Sequence, residues 1–104
     1  MNFDPGRFKR EERLGYNLIA ARYAESAALR SGLNAALIAT AALRPGLSVL
    51  DLASGPGVLA RAAAQKVSGG LVVASDIAEQ ALAEGRRRFP EGKLLFAAAD
   101  AERL

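Results

Sequence analysis

The run Val49-Leu50-Asp51-Leu52-Ala53-Ser54-Gly55-Pro56-Gly57-Val58-Leu59-Ala60 constrains this chain more than any other stretch. Ser48 to Ala53 is a short, nearly continuous apolar segment, the character of a parallel strand buried on both faces. It holds one carboxylate, breaks into small residues and glycines, and turns Ala-rich and helical over Val58 to Val67. The alternation then repeats. Ser68-Gly69-Gly70 ends the helix, Leu71 to Ser75 reads as a second strand and Ala78 to Phe89 as a second helix. Lys93 to Ala98 reads as a third strand after the Pro90-Glu91-Gly92 turn. Strands and helices alternating through connections of a few residues indicate right-handed crossovers on a parallel sheet. The expected fold class is α/β, a three-layer α/β/α parallel sheet of which these three strands are the N-terminal half.

Ahead of the first strand, residues 8 to 43 read as helix, in two pieces meeting near Ser31-Gly32. Leu14, Leu18, Ala21 and Glu25 fall at helical spacing, with Tyr16, Ile19 and Tyr23 on an adjacent stripe. Leu33, Leu37 and Leu43 mark the second piece, which Arg44-Pro45-Gly46 stops. The chain therefore divides into a helical segment, residues 1–45, and a sheet-forming segment, residues 46–104.

Composition removes several chemistries. Without Cys or His there are no disulfides, thiolate nucleophiles, Cys- or His-based zinc sites or His-based triads, and catalysis would rest on carboxylates, Tyr, Lys, Arg or a cofactor. The net charge is +3, yet the 14 Lys and Arg are dispersed among acids, and only Arg86-Arg87-Arg88 forms a run. That run suits the solvated end of a helix, so no nucleic-acid partner is expected. No stretch approaches a membrane span and the N-terminus lacks the pattern of a secretory signal, so neither membrane association nor export is expected and the expected location is the cytoplasm.

On the sheet, Asp51 lies near the carboxyl end of the first strand, where open α/β sheets bind ligands. Ser54 to Gly57 form the strand-to-helix loop, whose glycines let backbone N–H groups approach a ligand, and the next helix presents its partly positive end there. Asp76 ends the second strand at the spacing of a ribose-binding acid. Ile77 beside it offers an apolar face for adenine, and Asp100 follows the third strand. Together these acids describe a nucleoside site. Asp76 with Glu79 also fits a variant capping box, a role that can coexist with ribose binding. For Tyr16 and Tyr23, packing of an amphipathic helix is weighed against closure over a donor.

D-x-x-x-G-x-G from Asp51 to Gly57 resembles motif I of class I S-adenosylmethionine-dependent methyltransferases. Tyr16-Asn17-Leu18-Ile19-Ala20-Ala21-Arg22-Tyr23 resembles the Y/F-D-x-x-A-x-x-Y helix of small-molecule members of the ubiquinone and menaquinone biosynthesis type (methyltransferase type 11-like). The departures are Asn17 for a frequent Asp, Ser54 for a frequent Cys, and Pro56, which removes one loop N–H. The resemblance implies the N-terminal part of a Rossmann-like domain that binds S-adenosyl-L-methionine. Asp51, Ala53, Ser54, Gly55 and Gly57 would serve the methionine portion, Asp76 the ribose, Ile77 the adenine face, and Asp100 with Ala101 the adenine edge, with Tyr23 over the donor. It implies methyl transfer to a small-molecule acceptor; no residue is assigned as catalytic and no metal is implied.

Gly55-Pro56-Gly57-Val58-Leu59-Ala60 also satisfies G-x-G-x-x-A, so an NAD(P)-binding oxidoreductase is the alternative. Asp51, where dinucleotide folds keep an apolar residue, and the long preceding helical segment oppose it. A non-catalytic nucleoside-binding or interaction fragment is a third reading. By the resemblance, the sequence stops before a fourth strand. The chain alone is then expected to be inactive, and its first strand to be an exposed edge inviting a second copy of the chain.

Overall fold

Asp4 opens the first helix, its Oδ1 accepting a hydrogen bond from the Arg7 amide at 3.1 Å, with Pro5 in the first turn. The computed structural model describes residues 2–104, apart from the side chains of Ala27 and Ala28. Its elements are α1 (Pro5–Glu25), a 3-10 turn (Ser26–Arg30), α2 (Ser31–Ala41), β1 (Val49–Leu52), α3 (Val58–Lys66), β2 (Val72–Asp76), α4 (Glu79–Arg88) and β3 (Leu95–Ala98). The strands run parallel in the order β1-β2-β3. This is the expected α/β arrangement, with crossover helices between consecutive strands.

The core lies between the sheet and the helices. Ala60, Ala63 and Val67 pack on Val72, Ala74 and Leu94, with Val49 and Phe96 partly buried against them. Because side chains alternate along a strand, Val49, Val72, Ala74 and Phe96 face the helices while Leu50, Val73 and Leu95 share the other face in register. That second face is only lightly covered: Leu50 is 51% and Leu95 57% exposed. The reading of the first strand as buried on both faces is therefore corrected, since helices cover one face and β1 is a sheet edge.

Two further corrections concern the helical segment. The break between helices is the 3-10 turn Ser26–Arg30, ahead of the expected Ser31-Gly32. The buried positions of α1 are Ala20 and Ala24, whereas Leu14 is exposed and Leu18 more so, at 87%. Small residues win because α1 lies close against α4, and a methyl side chain permits that approach. Asn17, on the same helix, uses its Oδ1 to accept from the Gln80 amide at 3.0 Å, satisfying a donor in the first turn of α4.

The arginine run closes α4 as expected. Arg87 and Arg88 both pair with Glu84, and Arg86 donates to the Phe96 carbonyl oxygen at 3.0 Å. These guanidinium groups are used within the fold and do not form a free basic patch.

Candidate nucleoside-binding site

The β1–α3 loop is held by its own backbone and by Asp76. Ala53, Gly55 and Gly57 all have positive φ, at 55°, 56° and 83°. Gly57 is the residue before α3, and a Cβ there would stand 3.0 Å from the Phe96 ring, so both conformation and space select glycine. The Ser54 amide donates to the Ser75 carbonyl at 2.9 Å, tying the loop to the end of β2.

Asp76 bridges two segments. One carboxylate oxygen accepts from the Gly55 amide and the other from the Ala78 amide, each at 2.8 Å. This replaces the capping-box expectation: α4 begins after Ala78 without a side-chain cap from that residue, and Asp76 bonds the glycine turn instead of an amide three residues on. A carboxylate fixed by two backbone donors keeps lone pairs available on both oxygens, and those can accept from a diol.

Tyr23 divides the space above the strand ends into two cavities that share its ring, Ala53 and Gly55. One, about 150 Å³, is lined by Asp51, Ala53, Ser54 and Gly55 from the β1 side and by Arg30 and Asn34 from the helical segment. The other, about 330 Å³, is lined by Asp76, Ile77 and Ala81 and by Glu12, Tyr16 and Ala20 of α1. Tyr16 stands edge-on to Tyr23 at 5.6 Å between centroids, and a Cβ on Gly55 would lie 3.4 Å from the Tyr23 ring. Tyr23 is thus a wall of both cavities and more than core packing.

Electrostatically, Asp51 is the unusual group. Its Oδ2 is buried without a hydrogen-bond partner among the described residues. Burial pushes its carboxyl above the ordinary carboxylate range, the nearby Ala60 backbone opposes this in part, and the negative charge of Asp76 adds to the rise. An acid whose folded value is raised carries no penalty below about pH 4, where it is protonated in both states, and a full penalty once pH exceeds the folded value. Asp51→Asn should therefore stabilise the ligand-free chain at pH 7, by about 1 kcal/mol, and leave it unchanged at pH 3. Urea unfolding midpoints at the two pH values check this.

Asp100 and Ala101 lie apart from both cavities. Asp100 pairs with Lys9 at 2.7 Å and accepts from the Glu102 amide at 3.0 Å, and Lys9 also pairs with Glu102. The ammonium and then the amide hold the Asp100 carboxyl below its ordinary value. Sequence reasoning missed Glu12, Arg30 and Asn34 as lining residues. None carries a local signal, since each reaches the site only through the packing of the helical segment over the strand ends. Among the described residues no cluster of acids has the arrangement of a metal site, and no helix is long and apolar enough to cross a membrane.

Comparison with known proteins agrees with this arrangement. Over 97 residues, 86% of the chain, the sequence is 42% identical to the ubiquinone/menaquinone biosynthesis C-methyltransferase of Bordetella parapertussis, and the match takes in 38% of that protein's length. The chain thus spans well under half the length of the curated relatives it matches. A SAM-dependent methyltransferase from Geobacter sulfurreducens, solved in complex with S-adenosyl-L-homocysteine, superimposes with a TM-score of 0.55 at 28% identity, over 68% of this chain and 30% of that one. Phosphoethanolamine N-methyltransferase 1 of Haemonchus contortus, at 16% identity, shares the fold with a TM-score of 0.68 over 88% of this chain and 22% of its own. The family described as "Methyltransferase domain" matches residues 49–104, more than half of the sequence, and the chain belongs to it.

Proposed function

We propose that this chain forms the cofactor-binding part of an S-adenosyl-L-methionine-dependent methyltransferase acting on a small-molecule acceptor. The observation that carries the reading is the pair of acids on either side of Tyr23: Asp51 with a buried, unpartnered oxygen, and Asp76 clamped to the glycine turn. The residues present fit the cofactor. Asp51 can receive a cationic amino group, Asp76 a ribose diol, and Ile77 with Ala81 an adenine face.

When bound, the cofactor would supply a methyl group on a positively charged sulfur, which would leave as a neutral thioether once an acceptor nucleophile takes the methyl. The chain's own contribution is placement. The loop from Ala53 to Gly57, with its Ser54, Gly55 and Gly57 amides bonded within the fold, lines both cavities with little side-chain bulk, Tyr23 and Tyr16 wall the ligand from water, and Asp76 holds the loop in register with β2. No side chain here is assigned as a general base. The dinucleotide alternative receives no support from the site, where Asp51 puts a carboxylate under the glycine turn.

Calorimetric titration tests the reading. S-adenosylmethionine and S-adenosylhomocysteine are expected to bind and NAD to show no heat of binding. Preference for NAD, or binding of none of the three, overturns it.

A further inference from the structure

Strand β1 is paired on one side only, to β2. The Val49 amide donates to the Leu71 carbonyl at 2.8 Å, and alternate residues of a parallel ladder serve the same neighbour, so Leu50 and Leu52 turn their amides and carbonyls to the open side. Both side chains are half-exposed. Natural edge strands are commonly blunted by Lys, Pro or a bulge, and Val49–Leu52 carries none of these. Its one charged side chain, Asp51, lies on the helix-covered face with Oδ2 buried.

The apolar surface continues from this edge onto α2. From Ser31 to Leu43 the chain has no charged residue, α2 buries none of its residues, and Leu33 and Leu37 are 62% and 47% exposed. A helix this apolar is ordinarily enclosed. A hollow of about 220 Å³ joins the two elements, with Leu37, Ile38 and Leu43 on one side and Val49, Leu50 and Leu59 on the other. The amount of open surface matches what a dimer covers. A folded monomer of 10.9 kDa exposes about 5,600 Å², whereas this chain exposes 6969 Å². The surplus of about 1,400 Å² exceeds the roughly 800 Å² that each partner contributes to a standard interface.

We propose that a second copy of this chain docks along the β1 edge, giving a two-fold dimer with one continuous six-stranded sheet and the two α2 helices packed across the junction. An uncharged surface is not repelled by its own copy, and closed two-fold pairing is the commonest assembly of soluble chains. An axis normal to the sheet sets the two β1 strands antiparallel. Centred on Leu50, it places Asp51 across from Val49 of the partner subunit, which keeps the two acids apart.

Sedimentation velocity of the 104-residue chain over a concentration series is expected to show a monomer–dimer equilibrium ending at twice 10.9 kDa. Leu37→Lys and Leu50→Lys are each expected to raise the dimer dissociation constant about 10- to 100-fold, with circular dichroism confirming an unchanged fold. Leu95→Lys, on the same sheet face as Leu50 but on the far strand, is expected to leave it unchanged. Amide hydrogen exchange at Leu50 and Leu52 should slow as the dimer forms. A chain that stays monomeric, or that builds open-ended larger species, overturns the proposal. So does a dimer that Leu37→Lys and Leu50→Lys leave intact, and so does one that Leu95→Lys weakens as much as Leu50→Lys, since the sheet faces would then meet in place of the edges.

Discussion

Replacing Asp76 by Ala is expected to lower affinity for S-adenosylhomocysteine about 100-fold and unfolding free energy by about 2 kcal/mol. Two effects combine because the same carboxylate serves two ends. Its oxygens hold the Gly55 and Ala78 amides at 2.8 Å, so truncation leaves two backbone donors without their partner at the junction of loop, strand and helix. The half-buried position exposes those donors partly to water, which is why the stability loss stays near the middle of the range for hydrogen bonds to charged groups. The affinity loss reflects the missing acceptor for the ribose and the loosened glycine turn together. Asp76→Asn, which retains one acceptor oxygen, should fall between parent and Asp76→Ala in both measurements. Calorimetry and chemical unfolding read them separately, and undiminished affinity in Asp76→Ala would remove the ribose from this residue.

The second large effect is expected at a glycine outside the binding loop. Gly85 lies buried in α4, and a Cβ there would run into the Pro56 carbonyl oxygen and stand 3.0 Å from Cζ of the Phe96 ring. Neither neighbour is a flexible chain end: Pro56 is buried in the β1–α3 loop, and Phe96 packs on the core. Gly85→Ala should therefore destabilise by about 3 kcal/mol despite alanine's better helix propensity. Gly15, in α1 with nothing within 4 Å of its Cβ position, should show the opposite sign: Gly15→Ala is expected to stabilise by about 0.5–1 kcal/mol. Thermal or urea unfolding of the two variants side by side separates the steric term from the propensity term, and similar midpoints would refute the close approach of α4 to the loop.

What could be read from the sequence was what local chemistry determines. Strand and helix alternation from Val49 to Ala98 follows from apolar runs punctuated by glycine, and Asp51, Gly55, Gly57, Asp76 and Ile77 sit where strand ends and tight turns place them. Contacts between distant residues left no such mark. Asn17 reaches Gln80 and Lys9 reaches Asp100 across 63 and 91 positions. The Lys9 pairing occupies an acid that the family resemblance assigned to the adenine edge. Arg30 and Asn34 come to the cavity only because the helical segment folds across the strand ends, and polar residues near a helix break look like any solvated surface. The face of α1 was misread for a related reason. Leucine at helical spacing ordinarily marks the buried stripe, yet α1, which packs on α4, buries Ala20 and Ala24 and leaves Leu18 in solvent.

Glu12, Tyr16, Ala20 and Tyr23 make α1 the roof over the Asp76 cavity, and that roof is fastened by Lys9 to Asp100 and Glu102 and by Asn17 to the start of α4. The ionic tie weakens as salt rises, so rising ionic strength is expected to loosen the hold of the first helix over the strand ends.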